Sequence, residues 1–193
     1  EKFEPALVFL HGFNGSSKSW SQQISYFKEN VVIAIDAPGF GESHVVGESM
    51  AAIANETAGL IRNLNLGPAI IIGHSMGGMQ AQIIASKHPD LCAGLVLSCT
   101  HKGHAHPFGT PLDEAVLERL RQRETMDDSA YGKIRIQKML ARDIAPEIFS
   151  FLASVAGDVR AEGIISGGTA MHHLDTTSLL KRIIAPVMIL TGE

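Results

Sequence analysis

Residues 69–79 read Ala69-Ile70-Ile71-Ile72-Gly73-His74-Ser75-Met76-Gly77-Gly78-Met79. Four apolar residues, three of them β-branched, predict a short buried strand. Gly73 breaks the run, and Met76 to His88 predicts a helix closed by Pro89. Ser75 lies between the two, with glycine two residues before it and two after. A serine reaches substrate from the end of a sheet only where the chain turns sharply beneath it. That turn strains the serine backbone and brings strand and helix close enough to require glycine at 73 and 77. Ser75 also precedes a helix N-terminus, where unpaired N–H groups and the dipole favour negative charge. The Met76 amide is therefore a candidate oxyanion donor. G-x-S-x-G in a strand-turn-helix setting is the pattern of a nucleophile elbow.

Two further blocks precede this one. Leu10-His11-Gly12-Phe13 follows a first predicted strand, Ala6 to Leu10, whose unbroken apolar run predicts burial on both faces. Asp36-Ala37-Pro38-Gly39-Phe40-Gly41-Glu42-Ser43 follows a second, Val31 to Ile35. Together with Gly73-His74-Ser75-Met76-Gly77-Gly78, in this order and spacing, they resemble the α/β-hydrolase superfamily over nearly the whole chain. The resemblance implies Ser75 as nucleophile and the backbone amide of Phe13 as a second oxyanion donor beside Met76. Asp36 is expected to be structural, bonding amides of its own Gly/Pro turn. His11 is expected to anchor its loop.

The length of 193 residues fits one domain with a full-sized core. A net charge of -4 without any block of like charges argues against a nucleic-acid partner. No apolar run reaches the length of a membrane span, and no secretory leader is expected. Cys92 and Cys99, seven positions apart in one predicted strand, would stand about 23 Å from each other on opposite faces. They are expected to be unpaired, small buried hydrophobes in a reducing, cytoplasmic setting. No cofactor and no metal are expected.

A first short helix carries Trp20, Ile24 and Phe27 on one face, and Ser49 caps a long one with Met50, Ile53, Thr57, Leu60, Ile61 and Leu64 on another. Strands alternating with helices over residues 1–100 predict an α/β fold with a mostly parallel, doubly wound sheet. Right-handed crossovers put the first strand between the second and the nucleophile strand. The strand order then reverses beside Ser75, where such sheets bind ligands. Residues 101–175 lack strand signals and carry three apolar helical stripes: Leu112, Val116, Leu117 and Leu120; Ile134, Ile136, Met139 and Leu140; and, after Pro146, Phe149, Leu152 and Ala156. They are expected to form a helical cap over the crevice. His101, His104 and His106 crowd its start, but Gly103 and Pro107 predict a mobile loop, so contact with substrate is preferred to a metal site. Residues 176–193 return to the core through a short helix, Asp175 to Arg182, and a last strand, Pro186 to Leu190.

A serine nucleophile needs a base and an acid that orients it. The family's chain order is Ser, then Asp or Glu, then His. The resemblance places both partners beyond Glu193, and Glu193 itself is not expected to serve. The second strand reads as a central strand left at an edge. The fold is therefore expected to be truncated at both ends, with a homo-oligomer or a complementing chain covering the exposed edges. The expected activity is serine hydrolysis of a small carboxylic ester, thioester or lactone through an acyl-enzyme. Carbon–carbon bond hydrolysis, or a non-catalytic ligand-binding fragment lacking the His/acid relay, are the alternatives. Dehalogenases and epoxide hydrolases are disfavoured because they use Asp where this chain has Ser75. The Ala141-Arg142-Asp143 and Gly192-Glu193 segments are similar to those of 3-oxoadipate enol-lactonases and neighbouring esterases.

Overall fold

Five short runs rich in Val, Ile and Leu alternate with segments of helical periodicity, and the sheet follows from that alternation. A computed structural model describes residues 4–140 and 144–192; Ala141-Arg142-Asp143 and Glu193 lie outside the described residues. The strands are β1 (Leu7–Leu10), β2 (Val32–Ile35), β3 (Ala69–His74), β4 (Cys92–Ser98) and β5 (Val187–Leu190). Their order is β2-β1-β3-β4-β5, with every neighbouring pair parallel. β1 thus lies between β2 and β3, as right-handed crossovers require. Leu10 pairs with Gly73, so the loop leaving β1 and the turn leaving β3 emerge side by side at one end of the sheet.

Helices α1 (Ser21–Tyr26), α2 (Met50–Asn63) and α3 (Met76–Lys87) connect the first four strands. The helices α2 and α3 pack on each other, and α3 packs on β1, β3 and β4. The buried face of α2 is Met50, Ile53, Ala54, Thr57, Ala58 and Ile61, while Leu60 and Leu64 are 40% and 48% exposed. The predicted stripe is thus rotated: Ala54 and Ala58 face inward, which lets α2 and α3 approach closely, and the two leucines move to the rim. Ser49 occupies the N-cap of α2, yet its side chain makes no capping hydrogen bond.

All four residues of β1 are buried. In β3 burial alternates, with Ala69, Ile71 and Gly73 covered and Ile70 and Ile72 half-covered. The apolar run therefore packs fully on one face only. On the other face the Phe9 ring packs at a tilt against Trp20 (ring centroids 4.9 Å) and Phe27 (6.4 Å), whereas Ile24, expected beside them, is 41% exposed. The strand β5 at the sheet edge is exposed throughout.

Between β4 and β5 lie α4 (Glu114–Thr125), α5 (Asp128–Gln137), α6 (Pro146–Gly157), α7 (Ala161–His173) and the short α8 (Thr177–Leu180). The second apolar stripe is shorter than expected: α5 ends at Gln137, leaving Met139 and Leu140 in the following turn. Helix α7 is a fourth long helix in this region, beyond the three the stripes predict. It packs against α4, and α5 packs against α6. No helix among the described residues is long and apolar enough to cross a membrane.

Candidate active site

Ser75 holds φ 51° and ψ −115° at the junction of β3 and α3. Non-glycine residues adopt such a backbone at a cost of about 1–3 kcal/mol, and only where the surroundings impose it. Here the Ser75 N–H donates to the Ser98 carbonyl (2.9 Å), while its carbonyl accepts from the Gly78 N–H (2.9 Å) and the Thr100 hydroxyl (2.7 Å). A methyl group on Gly73 would lie 2.6 Å from the Gly78 Cα, and one on Gly77 would lie 2.7 Å from the His11 carbonyl oxygen. Both glycines are therefore required by contact with neighbouring backbone.

The Ser75 side chain lines a cavity of about 450 Å³. One wall is the loop after β1, through Gly12, Phe13 and Asn14; the floor is His74, Ser75 and Ser98. The opposite wall comes from the inserted helices, through Arg119, Ile136, Leu152 and Val155. The cavity thus opens where the strand order reverses, at the C-terminal ends of β1 and β3. Met76 is the first residue of α3, so its N–H has no intrahelical acceptor. The Phe13 N–H likewise finds no acceptor among the described backbone hydrogen bonds. Helix α7 backs both residues: a methyl on Gly167 would meet the Phe13 ring at 3.0 Å and the Met76 sulfur at 3.1 Å.

Two side chains hold the Phe13 loop. His11 is 1% exposed, and its Nε2 accepts from the Ala37 N–H at 2.9 Å. That bond leaves the proton on Nδ1, which donates to the Gly12 carbonyl at 2.8 Å. Asp36 is structural, as expected, but with a different partner. Its carboxylate accepts from the Ser17 N–H (2.6 Å), on the loop after β1, so it ties the two loops together and does not cap its own turn.

Burial holds the His11 imidazole below its ordinary value near 6.5, outweighing the upward pull of its bond to the Gly12 carbonyl; burial alone does the same to His74. Below pH 6.5 the unfolded chain takes up protons that the folded state refuses. Stability contributed by neutral His11 is therefore complete above that pH and lost on acidification, by about 1.4 kcal/mol per pH unit. Urea unfolding between about pH 7 and pH 5 measures it, and His11→Asn should flatten the slope.

Several groups near the site carry no sequence pattern of their own. Arg119 reaches the cavity from α4, with its guanidinium 4.9 Å over the Phe13 ring. It has no acidic partner among the described residues. Burial, then the charge of Arg135, push its pKa down from the ordinary value, though it stays a cation. Arg135 is 5% exposed and its Nε, like the Tyr131 hydroxyl, is buried without a partner. The visible signal was Arg119 interrupting the Val116–Leu120 stripe. No imidazole or carboxylate among the described residues is hydrogen-bonded to the Ser75 hydroxyl.

The loop with His101, His104 and His106 is tied down, contrary to the mobility expected from Gly103 and Pro107. His104, Ala105 and His106 donate from their backbones to Met171, Leu174 and His172, and Thr176 donates back to Lys102. The buried Gln82 of α3 holds both sides, donating to the His101 carbonyl and accepting from the Thr176 hydroxyl. Cys92 and Cys99 are both free; Cys92 is buried as expected, but Cys99 is exposed, because β4 ends at Ser98 and the chain turns away at Cys99 with φ 46°.

A parallel, doubly wound sheet with a strained serine between strand and helix, facing a crevice at the strand-order reversal, defines a class of α/β protein with a ligand crevice at the carboxyl ends of its strands. A family model described as alpha/beta hydrolase fold matches residues 5–144, and the chain belongs to that family. Its sequence is 35% identical over 97 residues to the sn-1-specific diacylglycerol lipase ABHD11 of Mus musculus, covering 48% of this chain and 32% of that protein. The chain thus spans about a third of that relative's length. Its structure superposes on an esterase from Thermogutta terrifontis with a TM-score of 0.80 and 30% identity, covering 98% of this chain and 71% of the other. The enol-lactonase of Burkholderia xenovorans LB400 matches with a TM-score of 0.82 at 20% identity over the whole chain and 75% of its own, a likeness of fold.

Proposed function

We propose that this is a serine hydrolase that cleaves small carboxylic esters, thioesters or lactones through an acyl-enzyme on Ser75. The observation that carries the reading is the strained Ser75 backbone, which holds the hydroxyl in the cavity wall beside the Phe13 loop. In this reaction Oγ adds to the substrate carbonyl while its proton passes to a general base. The negative charge moves onto the carbonyl oxygen and is received by the amides of Phe13 and Met76. Collapse of the adduct expels the alkoxide or thiolate, which takes up that proton; in a lactone it stays attached as a new hydroxyl. Water then adds to the Ser75 ester and releases the carboxylic acid. The family's chain order, Ser then Asp or Glu then His, assigns the base and its acid partner to positions C-terminal of Ser75.

Helices α4–α7, within residues 101–175, serve in this reading as a cap whose apolar side chains exclude water from the reaction. Arg119 gives the cap a preference for substrates carrying a carboxylate away from the scissile bond. A half-buried guanidinium without an acid beside it is relieved by an anionic ligand.

The test is a fluorophosphonate probe on the full-length protein, followed by mass mapping. Labelling confined to Ser75 and complete within minutes is the expected result. The 193-residue chain alone should label far more slowly, because only oxyanion and binding contributions remain, worth about 10³-fold over water in triad knockouts. Absence of Ser75 labelling in the full-length protein would favour the ligand-binding alternative.

A further inference from the structure

Five of the nine histidines gather where the helical insertion leaves and rejoins the sheet. Their rings form one continuous series: His101 to His104 at 5.0 Å, His104 to His106 at 6.2 Å, His106 to His172 at 4.2 Å and His172 to His173 at 4.8 Å between centroids. Asp113, the residue before α4, sits among them. Its Oδ1 is 3.7 Å from His106 Nε2 and its Oδ2 is 3.4 Å from His172 Nδ1. One ligand atom each from His104, His106 and Asp113 lies within 4.8 Å of the other two.

We propose that His104, His106 and Asp113 bind a divalent first-row transition-metal ion, with His172 orienting the Asp113 carboxylate. The spacing carries the argument. The His106–Asp113 separation is too long for a good hydrogen bond. Two ligand atoms bonded at about 2.0–2.1 Å to one tetrahedral ion stand about 3.3 Å apart, so a modest closure of these side chains completes the site. Two imidazoles and one carboxylate form a donor set suited to Zn²⁺, Ni²⁺ or Co²⁺, whereas Mg²⁺ and Ca²⁺ prefer oxygen alone. Three protein ligands leave a coordination position to water.

Two independent features support the site. The first is His172, whose ring is 1% exposed and turns its Nδ1 toward Asp113. That Nδ1 lies 3.4 Å from Asp113 Oδ2, the place from which a carboxylate ligand is held in orientation. The second is the backbone ladder between residues 102–106 and 171–176, which fixes the segment carrying two of the ligands before any ion arrives. A bound ion would bridge that segment to the start of α4, and through His172 to the end of α7.

Full-length protein without an affinity tag, stripped by a chelator, should bind Zn²⁺ or Ni²⁺ in a saturable titration with one ion per chain and micromolar affinity by calorimetry. Its melting temperature should rise by about 5–10 °C at a hundredfold excess over Kd. His106→Ala and Asp113→Asn should each weaken binding at least about tenfold, and His172→Gln should do so through the lost orientation of Asp113. His88→Ala, outside the cluster, should leave binding unchanged, whereas Mg²⁺ as the titrant should show no saturable binding. If a variant fails to fold, the visible spectrum of Co²⁺ bound to the unaltered protein decides: d–d bands of a nitrogen- and oxygen-ligated ion support the site. Lack of saturable binding to the unaltered protein, or binding that survives in a folded His104→Ala/His106→Ala variant, would overturn it.

Discussion

Ser75→Gly is expected to abolish turnover and to raise the melting temperature. The rate on a p-nitrophenyl ester should fall by about 10⁴-fold or more, because the proposed nucleophile is gone. Stability should move the other way. Ser75 stands at φ 51° and ψ −115°, where a Cβ is crowded by its own backbone and a glycine is not. Relief of that strain is worth about 1 kcal/mol after the extra entropy of glycine in the unfolded chain is subtracted. Ser75→Ala separates the two effects: it should lose activity as fully while melting within a degree or two of the parent, since its Cβ remains. Calorimetry on the three proteins measures the difference. A glycine variant that melts below the alanine variant would show that no strain is stored at this position.

That elbow was legible from residues alone because its constraints are local and steric. Gly73 and Gly77 must be bare whatever surrounds them, and the apolar run before them can only enter a sheet. Strand order was legible for a similar reason, since crossover handedness leaves few topologies. What escaped notice depends on contacts far along the chain. Helix α7 contains Gly163, Gly167 and Gly168, each costing about 1 kcal/mol of helix propensity relative to alanine. It is helical because Phe13, Met76 and the backbone of Gly39 need a side-chain-free surface to pack against. The bond from the Ser17 amide to Asp36 spans 19 residues, so no turn pattern around Asp36 discloses it. The half-covered Ile70 and Ile72 belong with these cases, because an apolar run does not say which of its faces a neighbour covers.

Arg119→Met should separate anionic from neutral substrates. In the parent protein the guanidinium lies against the Phe13 ring, lines the cavity and shares its surroundings with the buried Arg135. Of the three arginines near Tyr131, Arg123 has an acid, Asp128, at 2.5 Å, whereas Arg119 and Arg135 have none among the described residues. Glu118 is close by, but Arg121 and Gln122 already engage its carboxylate. A substrate carboxylate would supply the missing charge. A hydrogen bond to a charged group is worth about 1.5–3 kcal/mol, which corresponds to about 10- to 150-fold in KM. The methionine variant should therefore raise KM for a monoester of a dicarboxylic acid by that factor. Its kcat should change little, because the contact is equal in ground and transition states. For a neutral p-nitrophenyl ester KM should hold or fall, since an uncompensated cation has left an apolar wall. Arg119→Lys should recover part of the preference, as a point charge without the planar fork. An equal rise in KM for both esters would instead mark Arg119 as support for the Phe13 ring, with no part in choosing the substrate.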